Sequence, residues 1–325
     1  MASPFSGQEV ERDLRPTVSA FKFDLARTLS SVVALEARIS EGASTAEALG
    51  TERLGNGVVI GTEGLVLTIG YLVTEADEVV LTTGDGRRVP AHVLGADQAT
   101  GFGLVHALEP LDLPALSIGD SGAVRRNDQL ISAGAGGRSH ALMSHLVARA
   151  PFTGYWEYHL DEAFFVGPAH PHWGGSGLIN SAGELVGIGS IYLEQRTETG
   201  EVRPLNMYVP TQLLTPILAD LSAGRPTQSP RPWIGVIAQE VGSRVIVMSV
   251  SAGGPAEAAG LEEGDIIVTI AGLRVTDLGR FYQQLWALGP AGVTAPVVVM
   301  REEQVLEFDI QTADRSARLK KRRLN

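Results

Sequence analysis

The chain has 325 residues, 44% of them hydrophobic, a formal net charge of −11 and no cysteine. That length allows two or three domains, and that composition allows a buried core. An acidic body argues against general nucleic-acid binding, and the missing cysteines exclude disulfides and thiolate catalysis.

Residues 8–28 mix charged and apolar positions around Pro16, which predicts one or two short helices. From there the pattern turns to strands, in keeping with the 38 glycines and the many tight turns they permit. "SSVVALEARI" (30–39) reads as a strand and residues 41–55 as a loop. Two apolar runs flank Thr62-Glu63-Gly64, a hairpin signal, and residues 77–97 repeat the idea around Gly84-Asp85-Gly86. "GFGLVHAL" (101–108) closes this set. A second set covers roughly 116–222, including strand-like runs at 128–136, 140–150 and 185–195. Leu213, Leu214, Ile217, Leu218 and Leu221 have helical spacing within 210–224. "RPTQSPRP" (225–232) reads as a linker. A compact unit follows, with a helical "LGRFYQQLWAL" and two closing strands.

The ends of the chain carry their own expectations. The last eleven residues, "RSARLKKRRLN", hold six Arg or Lys, so residues 1–314 carry −17. Such a run is expected to be a solvated, disordered end. No stretch of eighteen apolar residues exists, so no membrane span is expected. "MASPFSGQEVERDLRP" lacks a hydrophobic signal core, which places the protein in the cytoplasm, or in the periplasm if a leader has been removed.

The C-terminal unit resembles a bacterial-type PDZ domain. The resemblance is carried by "WIGV" (233–236), by "GGPAEAAGLEEGDIIVTIAG" (253–272) and by the later helix. It implies that the turn Ile234-Gly235-Val236, with Trp233 beside it in the peptide-binding set, offers backbone N–H groups to the carboxylate of a peptide end, which adds as a strand to a sheet edge. Leu278, Phe281, Tyr282 and Leu285 recur at i, i+3, i+4 and i+7. They either line that groove or pack the core.

Residues 30–222 resemble the trypsin-like domain of the HtrA (Deg) family, which carries a PDZ domain in this order. The resemblance rests on "GNGVVIGTEGLVLT" (55–68), "LTTGDGRRVPAHVLGADQATGFGLVHA" (81–107) and "GLINSAGELVGI" (177–188). It implies a mainly β fold: a double six-stranded β-barrel, then an α+β PDZ domain. The segments become 1–29 (partly helical), 30–224 (protease fold), 225–231 (linker), 232–312 (PDZ) and 313–325 (basic tail).

A serine protease needs a nucleophile, a histidine base and a carboxylate that orients it. The family's histidine stands in "LTNNHVV"; here "LTIGYLV" puts Tyr71 there. Its aspartate stands in "D-x-x-T-D-L-A-L-L"; here "DQATGFGLV" puts Gly101 there, and Asp97 belongs to the preceding turn. Counting back without a gap from "NSAGELVGI" puts Gly174 at the nucleophile and Ser176 two positions later. The expectation is a pseudoprotease with Tyr71, Gly101 and Gly174 at the triad positions.

Several alternatives stand beside that reading. Ser176 is the fallback nucleophile, either in a shifted register or with one of His92, His106, His140, His145, His159, His170 and His172 as base. His170 and His172 alone suggest a metal pair, with no third ligand apparent, so no metal and no cofactor are expected. The turn His172-Trp173-Gly174 can retain oxyanion-type N–H groups. Trp173 either anchors a ligand or fills the vacated cleft. The resemblance implies a homotrimer, with Phe5, Phe21 and Phe23 as candidate contacts, and an active paralogue as a conceivable partner. The function expected is binding of protein or peptide C-termini as scaffold, regulator or chaperone-like factor; the alternative is an active serine endopeptidase with a non-standard arrangement.

Overall fold

The structure, a computed structural model, describes residues 9–196 and 200–319. The chain forms two compact units. Among the described residues, one comprises 9–150, 162–196 and 200–227; the other comprises 151–161 and 228–319.

The first unit holds two closed six-stranded barrels. A short helix α1 (Leu25–Leu29), capped by the Asp24 carboxylate on the Arg27 N–H at 3.0 Å, leads into β1 (Val32–Ile39). Helix α2 (Ala46–Leu49) precedes β2 (Glu52–Gly61) and β3 (Leu65–Ile69). Then come α3 (Gly70–Val73), β4 (Ala76–Thr82), β5 (Arg88–Ala96) and β6 (Phe102–Ala107). Barrel order is β1-β2-β3-β6-β5-β4, antiparallel throughout. Val33, Leu35, Val58, Val66, Leu67, Leu81, Val89 and Leu104, from both faces of its strands, are each fully buried.

The second barrel runs β7 (Gln129–Ala133), β8 (Ala141–Gly154), β9 (Tyr158–Gly167), β10 (Gly177–Ile179), β11 (Leu185–Arg196) and β12 (Val202–Pro210). Its spatial order is β10-β11-β12-β9-β8-β7. Leu130, Leu146, Phe164, Leu178, Val186 and Tyr208 form its core.

The second unit contains β13 (Pro232–Trp233), β14 (Val236–Val241), β15 (Arg244–Val250), α5 (Pro255–Ala259), β16 (Ile266–Ile270), β17 (Leu273–Arg274), α6 (Leu278–Trp286), β18 (Thr294–Arg301), β19 (Gln304–Gln311) and β20 (Ala313–Asp314). The sheet order is β14-β15-β16-β18-β19, so β14 lies at an edge. Pro255 starts α5 and Gly260, in the left-handed region, ends it. The Asp277 carboxylate accepts from the Arg280 N–H at 2.8 Å and starts α6. Buried Asp265, just before β16, accepts two bonds of 2.7 and 2.8 Å from Arg301 at the end of β18, and Arg301 also donates to the Gly260 carbonyl after α5 at 2.8 Å.

Several sequence expectations need correction. The loop over 41–55 contains α2 and the start of β2. Arg53 looks like a loop residue, yet it is buried because carbonyls satisfy its guanidinium. The helix over 210–224 shrinks to α4 (Leu218–Ser222), because Pro216 bars its own N–H and the residue before it from a helix. The ordered part of the second unit continues past 312. Strand β20 pairs with β13, and Arg318 donates to the Gly253 and Ala252 carbonyls at 2.9 and 2.6 Å. The basic tail is therefore docked as far as Arg318, because its guanidinium groups find carbonyl acceptors; residues 320–325 lie outside the described residues. Phe5 also lies outside them. The Phe23 ring packs on Gly183, where a Cβ would fall 2.8 Å away, and stays half-buried. No described helix is long and apolar enough to cross a membrane.

Candidate functional site

The three positions read from the sequence converge in the first unit. Helix α3 begins where the Gly70 N–H donates to the Gly101 carbonyl at 2.6 Å, which sets Gly101 beside Tyr71. A Cβ on Gly174 would lie 2.7 Å from the Tyr71 hydroxyl, too close for any real side chain. Tyr71, Gly101 and Gly174 thus share one corner, and among them stands neither a nucleophile, nor a histidine, nor a carboxylate. Asp97 turns away. Its carboxylate accepts from the Thr100 N–H and hydroxyl, both at 2.7 Å, and from the Thr227 hydroxyl.

The Tyr71 hydroxyl is fully engaged. It donates to the Ser190 carbonyl at 2.9 Å and takes a side-chain hydrogen bond from Trp173. Burial pushes its pKa above the usual phenol value. It keeps its proton at neutral pH and cannot act as a base. Trp173 is half-buried and leans on Tyr192, with ring centroids 5.5 Å apart.

Ser176 is completely buried. Its hydroxyl donates to the Trp173 carbonyl at 2.8 Å and meets the Tyr208 hydroxyl at 3.0 Å. Neither partner is a base, and the side chain has no exposed surface. The two histidines of the same loop point elsewhere. His170 Nε2 faces the His140 carbonyl at 2.9 Å, an acceptor, so Nε2 carries the proton. Nδ1 then accepts the His172 N–H at 3.0 Å. Both ring nitrogens of His170 are used within the protein. Burial lowers its pKa to about 4, so it is neutral at pH 7.

The same bond removes the His172 N–H from any oxyanion-type turn. Of that turn, the Gly174 carbonyl accepts from the Asn56 N–H at 2.8 Å and from Asn56 Nδ2 at 3.0 Å. Asn56 Nδ2 also reaches the His172 carbonyl at 2.9 Å, while its Oδ1 accepts the Ala135 N–H at 2.9 Å. Asn56 is fully buried and joins β2 to the loop before β10. Gly175 has φ +73°, and a Cβ there would run into the Asn56 carbonyl, so only glycine fits. Arg53 braces the other wall by donating to the Tyr71 and Thr74 carbonyls at 2.5 and 3.0 Å. Asn56 and Arg53 are site residues that sequence reasoning missed. The one available signal was their polar character within the β2 run. Among the described residues no group of three or more His, Asp or Glu side chains is placed to hold a metal ion.

In the second unit the eight residues read as peptide-binding lie together. Gly235 has φ +82° and forms the turn into β14. Ile234, Phe281, Tyr282 and Leu285 are wholly buried, and Trp233, Val236 and Leu278 nearly so. Ile234, Val236, Leu278, Phe281, Tyr282 and Leu285 all belong to one buried core. The Tyr282 hydroxyl differs, since it accepts the Glu157 N–H at 3.1 Å.

Residues 55–188 match the trypsin-like peptidase domain, and residues 232–312 match the PDZ domain. The chain carries a trypsin-like peptidase domain followed by a PDZ domain, and it is similar to HtrA proteases. It is 24% identical over 313 residues to the serine endoprotease DegS of Salmonella typhimurium, covering 90% of itself and 86% of that protein. It is 26% identical over 269 residues to a probable periplasmic serine endoprotease, DegP-like, of Pseudomonas fluorescens. The match covers 77% of the chain and 54% of that relative, so the chain spans about half the length of the DegP-like proteins. In fold it is similar to the HtrA-type protease AlgW with a tripeptide, at TM-score 0.55 and 22% identity, covering 92% and 97% of the two chains. The serine endoprotease from Yersinia pestis gives TM-score 0.53 and 23% identity, covering 89% and 95%.

Proposed function

We propose that this HtrA-like protein is a pseudoprotease that binds protein or peptide C-termini through its PDZ domain, as a scaffold, regulator or chaperone-like factor. The observation that carries this reading is the contact between positions 174 and 71. Where an acyl-enzyme would form there is a glycine, and the neighbouring phenol keeps its proton. Acyl transfer by the usual route needs an activated hydroxyl and a base, and this corner supplies neither. The second unit supports binding, with an edge strand β14 beside α6 and a turn at Gly235 whose N–H groups suit a carboxylate.

The rival reading, an active endopeptidase with another arrangement, draws on the relatives, which are named as serine endoproteases. A fluorophosphonate probe together with cleavage of unfolded casein separates the two. The expected result is no labelling and no cleavage. Labelling that disappears in Ser176→Ala would establish the enzyme and end the pseudoprotease reading. For compartment the proposal follows the relatives named periplasmic over the cytoplasmic expectation, and cell fractionation decides. A homotrimer, and an active paralogue as partner, rest on the family resemblance; co-purification without a paralogue would remove the latter.

A further inference from the structure

A bound peptide end would place its carboxylate at Ile234-Gly235-Val236, and a carboxylate of the chain itself already stands there. Residues 151–161, the tip of the hairpin between β8 and β9, belong to the second unit. At that tip Glu157 Oε1 accepts the Gly235 N–H at 3.3 Å, and the N–H groups of Val236 and Ile234 also bear on the same carboxylate. The Glu157 N–H donates to the Tyr282 hydroxyl on α6 at 3.1 Å. Arg315 holds the tip from another side, donating to the Trp156 carbonyl at 2.8 Å while its charge acts on Glu157.

The rest of the tip lies along the start of α6. A Cβ on Gly279 would fall 3.1 Å from Thr153 Oγ1 and 3.3 Å from the His159 ring. Gln283 Nε2 meets His159 Nε2 at 3.1 Å. Trp156 stacks on Tyr158 with centroids 5.8 Å apart, which stiffens the turn. Glu157 itself has φ +57°, a region where glycine or asparagine is the ordinary choice. A glutamate held there accepts backbone strain and places its side chain on three N–H groups. Burial pushes its carboxyl up to about 7, so the site desolvates this group as it would desolvate a ligand's terminus. Among the described residues β14 has β15 as its ladder partner and takes none from the tip. The tip fills the carboxylate end of the groove and leaves the strand edge open.

We propose that the hairpin tip is an internal ligand: Glu157 occupies the carboxylate turn, and a free C-terminus binds there only after the tip has withdrawn. The proposal rests on the reading of this domain as a binder of C-termini. An occupied site lowers apparent affinity in proportion to the fraction of molecules whose site is open.

The test uses the full chain and two variants, Glu157→Gly and Glu157→Gln. Hydrogen exchange reads the plug without any peptide. In Glu157→Gly the amides of 234–236 should exchange about tenfold faster, with those of β16 and β18 unchanged. Glycine relieves the strain at φ +57°, so a merely structural Glu157 predicts the reverse: slower exchange and a higher melting temperature. Unchanged or slowed exchange overturns the proposal. Glu157→Gln keeps the side-chain volume and should move the same amides in the same direction. The binding probe is a fluorescent pool of random decapeptides ending in valine, as free acid and as amide. The free-acid pool should bind Glu157→Gly about tenfold more tightly than the unaltered chain, and the amide pool should not. Equal affinities overturn the proposal. Faster exchange with no binding of either pool would uphold the plug and defeat the C-terminus reading.

Discussion

A side chain at position 174 would have to share space with the Tyr71 hydroxyl, and this fixes what repair of the corner would require. Gly174→Ser should fail to label with a fluorophosphonate, because its new hydroxyl would meet a protonated phenol rather than an imidazole. It should also lose about 1–3 kcal/mol of stability by overpacking. In a Tyr71→Ala background the same change should cost less, and urea melts of the two singles and the double measure that coupling. Additive costs would mean that the two positions do not touch. At this scale the sequence was informative about identity and silent about contact. The resemblance to the family set Tyr71, Gly101 and Gly174 at the triad positions, by counting from its framework residues. Asn56 was not, because its role depends on the carbonyls of His172 and Gly174 more than a hundred residues away.

The loop from His170 to Ser176 shows what an element adds. His170 is held neutral by burial, with both ring nitrogens bonded inside the protein. Its folded pKa of about 4 lies below the unfolded value near 6.5. The unfolded chain therefore takes up a proton first as pH falls. Stability is full above about pH 6.5 and declines toward pH 4, by about 3 kcal/mol if the shift is realised in full. Denaturant melts at pH 7.5 and 4.5 should show this loss in the unaltered chain and a smaller one in His170→Asn. Equal pH dependence in both would remove His170 as the cause. Element types were largely readable where short apolar runs stood between turn residues, as in β3, β7 and β11. They were misread at 210–224, where leucine spacing outvoted Pro216, and at 52–55, where a buried arginine resembled a loop residue. Strands β9 and β12 and the tip at 151–161 went unassigned. The clue to the tip was four aromatic residues within 152–158, in a chain with only 6% aromatics.

For the whole molecule, the family resemblance predicts a trimer, and light scattering of the purified chain should give about three times its 34.4 kDa. A monomer would restrict the resemblance to the fold of each unit. The sequence by itself carried the mainly β class, through local periodicity and turn chemistry that neighbouring residues encode. The order of trypsin-like and PDZ domains, and the expectation that Tyr71, Gly101 and Gly174 stand at the triad positions, came from its resemblance to the HtrA family. Tertiary structure alone decided that Ser176 is enclosed against Tyr208, that Asn56 fastens the glycine turn, and that Glu157 lies on the N–H groups of 234–236. Each joins side chains and backbone from segments far apart in the chain, and burial gives each its chemistry. Neither the pairing nor the burial exists until the strands have closed.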